Sequence, residues 1–267
     1  MVIDDKHQII TIGDSLTAGW QMTYGEYAPF SDATFGMKLA TTYPYMLGQM
    51  ISPRWGGDFI KNLGRSGSTS QDWQRGSSWQ KRECKDFPLN GKPLNELIES
   101  KESPKICLMM LGTNDVNFSI PPDWISRAMG GLVGYEDQDF LMTRENLVSV
   151  LIELKHKGIS TYLAKIPPNR LSGGIRTLGI DKLIFNNPGA QSKLDSYTRR
   201  VNEHIEDIWH SYPELASPGP DFYEFLQDTE NIWCDDRLHL NTQGYRLIAE
   251  AWADLLISDG VVIQDQG

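Results

Sequence analysis

A serine that follows a strand is the first candidate for chemistry in this sequence. Residues 9–12 have strand character and run directly into the turn Gly13-Asp14-Ser15-Leu16. A buried strand that stops at small, polar residues holds the next side chain rigidly at the edge of a sheet. A serine hydroxyl is a poor nucleophile at neutral pH. Ser15 therefore needs a base within hydrogen-bond reach and a group that orients this base.

His239 is the candidate base, because it follows Asp236 by three residues in a compact turn before a helix. This spacing lets the Asp236 carboxylate accept from one imidazole nitrogen while the other nitrogen faces outward. The adjacent Asp235 is an alternative for the orienting role. The remaining four histidines are expected to be solvated or to cap helices: His7, His156, His204 and His210.

Stabilisation of an oxyanion is the third requirement, and losing one donor typically costs about 2.7–4 kcal/mol. The candidate donors are the backbone N–H of Ser15, the backbone N–H of Gly67 and the side-chain amide of Asn114. Each of them falls just beyond a predicted strand. Gly64 is an alternative to Gly67, which we prefer because it lies in a Ser-Gly-x-Thr context.

Strands and helices alternate along the chain, which predicts a parallel sheet covered by helices on both faces. The predicted strands are residues 8–12, 59–63, 105–111 and 160–166, with a last short strand at Phe222–Phe225. The predicted helices are residues 43–51, 95–99, 140–157, 191–212 and a final helix ending near 256. In such sheets the active site lies at the carboxyl ends of the strands, where the three candidate donors are placed.

The chain is expected to form one domain over residues 1–267, with inserted loops near 71–95, 117–140 and 169–190. It carries 35 acidic and 25 basic residues, a formal net charge of −10, and no basic cluster. Nucleic acids and anionic lipid surfaces are therefore not expected partners.

The longest apolar run, Ile106–Leu111, is too short to span a bilayer. The polar segment Met1–Lys6 shows no signal-peptide pattern. The three cysteines are an odd number without metal-ligand spacing. These features predict a reduced, cytoplasmic setting and no metal site.

Four sequence blocks, in order and spanning most of the chain, resemble those of the SGNH, or GDSL, hydrolase superfamily. The blocks are Gly13-Asp14-Ser15-Leu16, Ser66-Gly67-Ser68-Thr69, Gly112-Thr113-Asn114-Asp115 and Asp236-Arg237-Leu238-His239. Each block alone is a frequent chance match, but four in the family's order are highly specific.

The resemblance implies a three-layer α/β/α fold with a flavodoxin-like parallel sheet of about five strands. It implies Ser15 as nucleophile, His239 as base and Asp236 as orienting acid. It also implies an oxyanion hole made by Ser15, Gly67 and Asn114. Members of the superfamily mostly hydrolyse carboxylic esters and need no metal or other cofactor, so a small-molecule ester is the expected substrate.

Two other functions are compatible with this fold. One is a carbohydrate O-deacetylase, in which aromatic side chains stack on sugar rings; the candidates are Trp20, Tyr24, Tyr27, Trp73 and Trp79. Aliphatic residues within Leu171–Phe185 favour an acyl chain instead. The other is a non-catalytic binding protein. Nucleotide binding is disfavoured because no phosphate-binding glycine motif is present. The α/β-hydrolase fold is disfavoured because the residues around Ser15 do not match its G-x-S-x-G motif.

Overall fold

A five-stranded parallel sheet forms the centre of the molecule. The computed structural model describes residues 3, 5–19, 41–65, 67–75, 83–84, 87–88, 93–119, 139–169, 188–234 and 238–262. The strands of the sheet are β1 (Ile9–Gly13), β2 (Ile60–Asn62), β5 (Ile106–Met110), β6 (Ser160–Lys165) and β7 (Ala216–Asp221). A separate antiparallel pair is formed by β3 (Glu83–Cys84) and β4 (Phe87–Pro88).

The strand order is β2-β1-β5-β6-β7, and every neighbouring pair is parallel. The register pairs Ile9 of β1 with Ile60 of β2 and with Ile106 of β5. All residues of β1 and β5 are buried. Successive side chains of a strand point to opposite faces, so both faces of the sheet are covered. The predicted α/β fold with five parallel strands is confirmed.

Helices follow the strands and pack in two groups. They are α1 (Ser15–Ala18), α2 (Tyr43–Ile51), α3 (Pro93–Glu99), α4 (Thr113–Phe118), α5 (Leu141–His156), α6 (Pro188–Ser211), α7 (Phe222–Gln227) and α8 (Thr242–Ser258). Helix α2 packs against α8, whereas α5 packs against α3 and α6, and α6 also contacts α4. Two short 3₁₀ helices occur at Gly56–Phe59 and Gln71–Trp73.

Apolar periodicity explains the long helix α6. Its fully buried apolar residues lie on one stripe: Leu194, Val201, Ile205 and Ile208. This stripe had the spacing of an amphipathic helix in the sequence, and the helix is confirmed. Ile3 and Val261, near the two ends of the described chain, both belong to the hydrophobic core. The backbone N–H of Ile3 also donates to the carbonyl of Val261 at 2.8 Å.

The prediction of a last strand at Phe222–Phe225 was wrong, because these residues belong to helix α7. Asp221 caps this helix by accepting from the backbone N–H groups of Tyr223 and Glu224. The last strand is β7, whose sequence Ala-Ser-Pro-Gly-Pro-Asp reads as a turn. Proline is tolerated there because β7 lies at the edge of the sheet.

One histidine also departs from the expectation. His7, His156 and His210 are exposed, as predicted. His204 is buried on α6, and its Nε2 lies 2.6 Å from the carbonyl oxygen of Asp139. Because it meets a backbone carbonyl, His204 ties α6 to the residues that precede α5.

Much of each predicted inserted loop lies outside the described residues, as does the aromatic segment from 20 to 30. The described part of 71–95 contains the 3₁₀ helix Gln71–Trp73, the β3–β4 pair and the start of α3. No helix in the part of the chain that the structure describes is long and apolar enough to cross a membrane.

Candidate active site

Ser15 lies where β1, an inner strand of the sheet, gives way to helix α1. Asp14 is the N-cap of this helix, and its Oδ1 accepts from the backbone N–H of Leu16 at 3.0 Å. The turn closes when the N–H of Gly19 donates to the carbonyl of Ser15 at 3.0 Å. Ser15 is 7% exposed. The backbone of a buried strand and a capped helix therefore fixes this side chain.

His239 comes from the other end of the chain and lies in a turn that the backbone also fixes. The N–H of Cys234 donates to the carbonyl of His239 at 2.8 Å, and the N–H of Asn241 donates to the carbonyl of Ile232 at 2.8 Å. Asn241 is then the N-cap of α8, where its Oδ1 accepts from the N–H groups of Gln243 and Gly244. His239 is thus held immediately before a capped helix.

The imidazole of His239 meets the hydroxyl of Ser15. Nε2 of His239 lies 2.8 Å from Oγ of Ser15, across 224 positions in sequence, and His239 is 8% exposed. With the hydroxyl as donor, Nε2 is the acceptor and the ring proton is on Nδ1. The candidate orienting acids, Asp236 and Asp235, lie outside the described residues.

Asn114 lies at the start of helix α4, directly after β5, and is buried. Its Nδ2 donates to the carbonyl of Ser68 at 3.0 Å. The hydroxyl of Ser68 in turn contacts the carbonyl of Gly13 at 3.3 Å. The structure therefore brings Asn114 and the Gly67–Ser70 segment to the carboxyl end of the sheet, where Ser15 lies.

The two candidate glycines have different environments. The N–H of Gly64 donates to Oδ1 of Asn62 at 2.9 Å. A Cβ on Gly64 would lie 2.4 Å from the backbone nitrogen of Ala18, so this glycine allows close packing against α1. Gly67 has a φ of +76°, a left-handed conformation that glycine adopts without strain. Gly64 has a packing role, and Gly67 stays the candidate donor.

The carboxyl group of Asp14, which directly precedes the serine, is perturbed by its burial. Burial raises its pKa from 3.8 to about 6, against the lowering effects of the Leu16 N–H and of His239. Its Oδ2 atom is buried, and the nearby Thr113 side chain lowers the pKa of Asp14 while the Asp115 carboxylate raises it. Keeping this group in the charged form therefore costs free energy at neutral pH.

Several polar residues support the site without having been predicted to do so. Asp115 is fully buried and binds Ser70, while Thr143 and Asn146 of α5 contact Asp115 and Ser70. The sequence signal for Asp115 was its place in the block Gly112-Thr113-Asn114-Asp115, directly after Asn114. The position of α5 against this cluster depends on tertiary packing, so spacing along the chain could not have revealed it.

Trp73 was proposed as a sugar-stacking residue, and its burial contradicts that reading. The side chain is 1% exposed, and its Nε1 donates to the hydroxyl of Ser68 at 3.1 Å. The ring thus packs beneath the Gly67–Ser70 segment instead of offering a free face. The other aromatic candidates, at 20, 24, 27 and 79, lie outside the described residues.

The described residues offer no cluster of three or more His, Cys, Asp or Glu side chains with the arrangement of a metal site. Cys107 is buried in β5, where burial raises its thiol pKa far above the ordinary range, and Cys234 is also buried. A thiol with so high a pKa, such as that of Cys107, stays protonated and is a poor nucleophile or ligand.

Solved structures of ester hydrolases share this fold. The esterase EstA from Pseudoalteromonas sp. aligns with a TM-score of 0.54 and 17% identity, covering 94% of this chain and 96% of its own. A G-D-S-L family lipolytic protein from Veillonella parvula has a TM-score of 0.55 and 17% identity, covering 92% and 96%. A variant of the acetyl xylan esterase Axe2 from Geobacillus stearothermophilus has a TM-score of 0.51 and 20% identity, covering 98% and 99%.

Family membership rests on the sequence itself. Among curated proteins, none matches the chain. The model of the GDSL-like lipase/acylhydrolase family matches residues 11–247, which include the Ser15 turn, the Gly67–Ser70 segment, Asn114 and His239. The chain therefore belongs to the GDSL-like lipase/acylhydrolase family, whose members are hydrolases that act on ester bonds.

Proposed function

We propose that this protein hydrolyses carboxylic esters through an acyl-enzyme, with Ser15 as nucleophile and His239 as general base. The observation that carries the proposal is the buried 2.8 Å contact between Nε2 of His239 and Oγ of Ser15. A neutral imidazole at this distance can accept the hydroxyl proton during attack. The two residues lie on segments fixed by the backbone, so the contact is available before substrate binds.

In the first step, Oγ of Ser15 attacks the carbonyl carbon of the ester and its proton passes to Nε2 of His239. A new C–O bond forms, and the carbonyl electron pair moves onto oxygen. The N–H of Ser15, the N–H of Gly67 and the amide of Asn114 stabilise this negative charge. The contact between Asn114 and the Gly67–Ser70 segment supports this grouping of donors.

In the following steps, the tetrahedral intermediate collapses and the bond to the alcohol breaks. His239 gives its proton to the leaving oxygen. A water molecule then attacks the acyl-enzyme, His239 accepts the water proton, and the acid departs as Ser15 recovers its hydrogen. We assign the orienting role to Asp236, because its place three residues before His239 lets its carboxylate reach Nδ1.

The proposed substrate is a small-molecule carboxylic ester of the esterase or lipase type. A carbohydrate O-deacetylase is the second candidate, because an acetyl xylan esterase shares the fold over 98% of this chain. The burial of Trp73 removes one of the five aromatic residues on which that reading relied.

We further propose that the chain is one domain, which the shared core of Ile3 and Val261 supports.

The direct test replaces Ser15 by alanine and measures hydrolysis of a p-nitrophenyl ester. Ser15→Ala is expected to lower kcat by about 10⁴–10⁶-fold while the thermal midpoint stays near that of the wild type. Ser258→Ala, at an exposed position on α8, is the matched control and should keep full activity. Wild-type turnover in Ser15→Ala would overturn the proposal.

A panel of esters separates the two substrate classes. It compares p-nitrophenyl esters of increasing acyl length with acetylated xylo-oligosaccharides, using kcat/KM for each. Activity that persists or rises with acyl length supports the esterase or lipase assignment. Activity confined to acetyl groups on sugars would replace it with the deacetylase.

A further inference from the structure

A buried carboxylate holds the end of the Gly67–Ser70 segment. Asp115 is fully buried in the first turn of α4. Its Oδ2 accepts from the backbone N–H of Ser70 at 2.9 Å, and its Oδ1 accepts from the hydroxyl of Ser70 at 2.5 Å. Both polar hydrogens of Ser70 are thereby directed at one side chain, which fixes the path of the backbone at this residue.

Helix α5 contacts the same pair from a second direction. The hydroxyl of Thr143 donates to Oδ1 of Asp115 at 3.1 Å, and Nδ2 of Asn146 donates to Oγ of Ser70 at 3.1 Å. Thr143 and Asn146 are three residues apart, so they share one face of the helix. Thr143 is fully buried and Asn146 is half-buried. Two different side chains thus connect one helix to the segment.

The hydrogen bonds run in one consistent direction. Asn146 donates to Ser70, Ser70 donates to Asp115, and Thr143 also donates to Asp115. Since an ionised carboxylate can only accept, the single hydrogen of the Ser70 hydroxyl points to Asp115, and Asn146 donates to a lone pair of the same oxygen. Removing the Thr143 hydroxyl would leave a buried carboxylate with one donor fewer, and the carboxylate and its partners would then shift.

We propose that Thr143 and Asn146 are positioning residues for the oxyanion donors, acting through Asp115 and Ser70. The inference rests on the proposed function, because it concerns the N–H of Gly67 and the amide of Asn114. The amide of Asn114 donates to the carbonyl of Ser68, in the middle of the segment that Ser70 ends. A displaced segment therefore moves both donors together.

The effect should fall on the transition state more than on the bound substrate. Preorganised donors are aimed at the position of the developing oxyanion, and displacements of about 1 Å can cost on the order of 100-fold in rate. Substrate affinity depends on the rest of the pocket. Loss of positioning therefore lowers kcat with KM unchanged, whereas general loss of folded protein lowers the active fraction and the thermal midpoint.

The test compares Thr143→Val with Thr198→Val. Thr198 is also fully buried in a helix, and its hydroxyl donates to the carbonyl of Leu194 within the same helix, not to Asp115 or Ser70. Steady-state kinetics on p-nitrophenyl acetate would be measured well below each thermal midpoint, together with binding of an alkyl boronic acid that forms a tetrahedral adduct. Thr143→Val should lower kcat and boronate affinity about tenfold each, with KM within about twofold. Thr198→Val should leave all three near wild type.

Two further variants keep the test decisive. Thr143→Ser restores the hydroxyl and should recover most of the lost kcat. Asn146→Ala changes a half-buried position, so it repeats the test if Thr143→Val fails to fold, and it should lower kcat several-fold. Wild-type kcat in Thr143→Val or, if that variant does not fold, in Asn146→Ala would overturn the inference. Failure of the proposed function would appear differently, as turnover retained in Ser15→Ala.

Discussion

The Ser15 turn and the Gly67–Ser70 segment both lie at the carboxyl end of the sheet. Different contacts hold the two in place. The Ser15 turn continues the fully buried strand β1 and enters the capped helix α1. The Gly67–Ser70 segment follows β2 and leads only into the 3₁₀ helix Gln71–Trp73. Its contacts come largely from side chains of other elements, including Asp115, Asn114 and Trp73.

This difference separates two kinds of sensitivity. A side chain fixed by strand and helix backbone depends on few other side chains. A segment fixed by side-chain hydrogen bonds depends on each residue that supplies one, even from a helix remote in sequence. Substitutions outside the sequence blocks should therefore affect the proposed oxyanion donors more readily than the proposed nucleophile, Ser15.

The largest expected effect on the oxyanion side comes from Asn114→Ala. It removes a candidate donor and the contact with Ser68, so kcat should fall by about 10²–10³-fold. Asn117→Ala is the comparison: Asn117 accepts from Nδ2 of Asn169 at 2.6 Å, but it reaches Oδ1 of Asn114 only at 3.5 Å. That variant should stay within about threefold of wild type, given the weakness of so long a hydrogen bond. Equal kcat values for the two variants would show that the side-chain amide of Asn114 does not act as an oxyanion donor.

The buried carboxyl group of the Ser15 turn gives a pH-dependent prediction. The pKa of Asp14 is raised from 3.8 to about 6, so the folded state prefers the protonated form. This preference stabilises the folded state at low pH and is lost as the pH rises from 3.8 through 6. Asp14→Asn keeps the acceptor that caps α1 but removes the charge. Relative to wild type, its free energy of unfolding should rise by about 2–3 kcal/mol over that window.

Urea unfolding of both proteins at a series of pH values measures this difference. Asp228→Asn, in the turn after α7, is a suitable control and should show no comparable trend. A difference between Asp14→Asn and wild type that is independent of pH would contradict the burial of a charged group beside Ser15.

The smallest effect is expected at the cap of the last helix. Asn241 accepts from two backbone N–H groups of α8 and also donates to the carbonyl of Asn231 at 2.8 Å. Asn241→Ala should lower the free energy of unfolding by about 1 kcal/mol. Because backbone hydrogen bonds also fix the His239 turn, kcat should change little. A large fall in kcat without loss of stability would show that this turn depends on side chains too.

Local patterns were sufficient to predict the parts of the fold and site that depend on local structure. Helix Tyr43–Ile51 was predicted with the bounds it has, and the strand after residue 105 was evident from its apolar run. The pairing of Ser15 with His239 could be anticipated because each lies beside a turn with a readable signal. Strand β7 could not, since its prolines and glycine disfavour a strand everywhere except at a sheet edge.

The burial of single residues outside periodic segments, and the contacts between distant segments, could not be predicted from spacing. Trp73 was a candidate for stacking on sugar rings in the alternative deacetylase function, yet its side chain is buried and donates to the hydroxyl of Ser68. The link between Asp115 and Thr143 joins residues 28 positions apart, and it depends on where α5 crosses the sheet. A single sequence carries no periodic signal for such a contact.

Labelling by a fluorophosphonate tests whether His239 activates Ser15. The labelled residue would be located by mass spectrometry, and the labelling rate would be compared between wild type and His239→Ala, with His210→Ala as an exposed control. We expect a covalent adduct on Ser15 in wild type and in His210→Ala, with labelling slowed by about 10³-fold or more in His239→Ala. An adduct on another residue, or an unchanged labelling rate in His239→Ala, would overturn the roles proposed for Ser15 and His239.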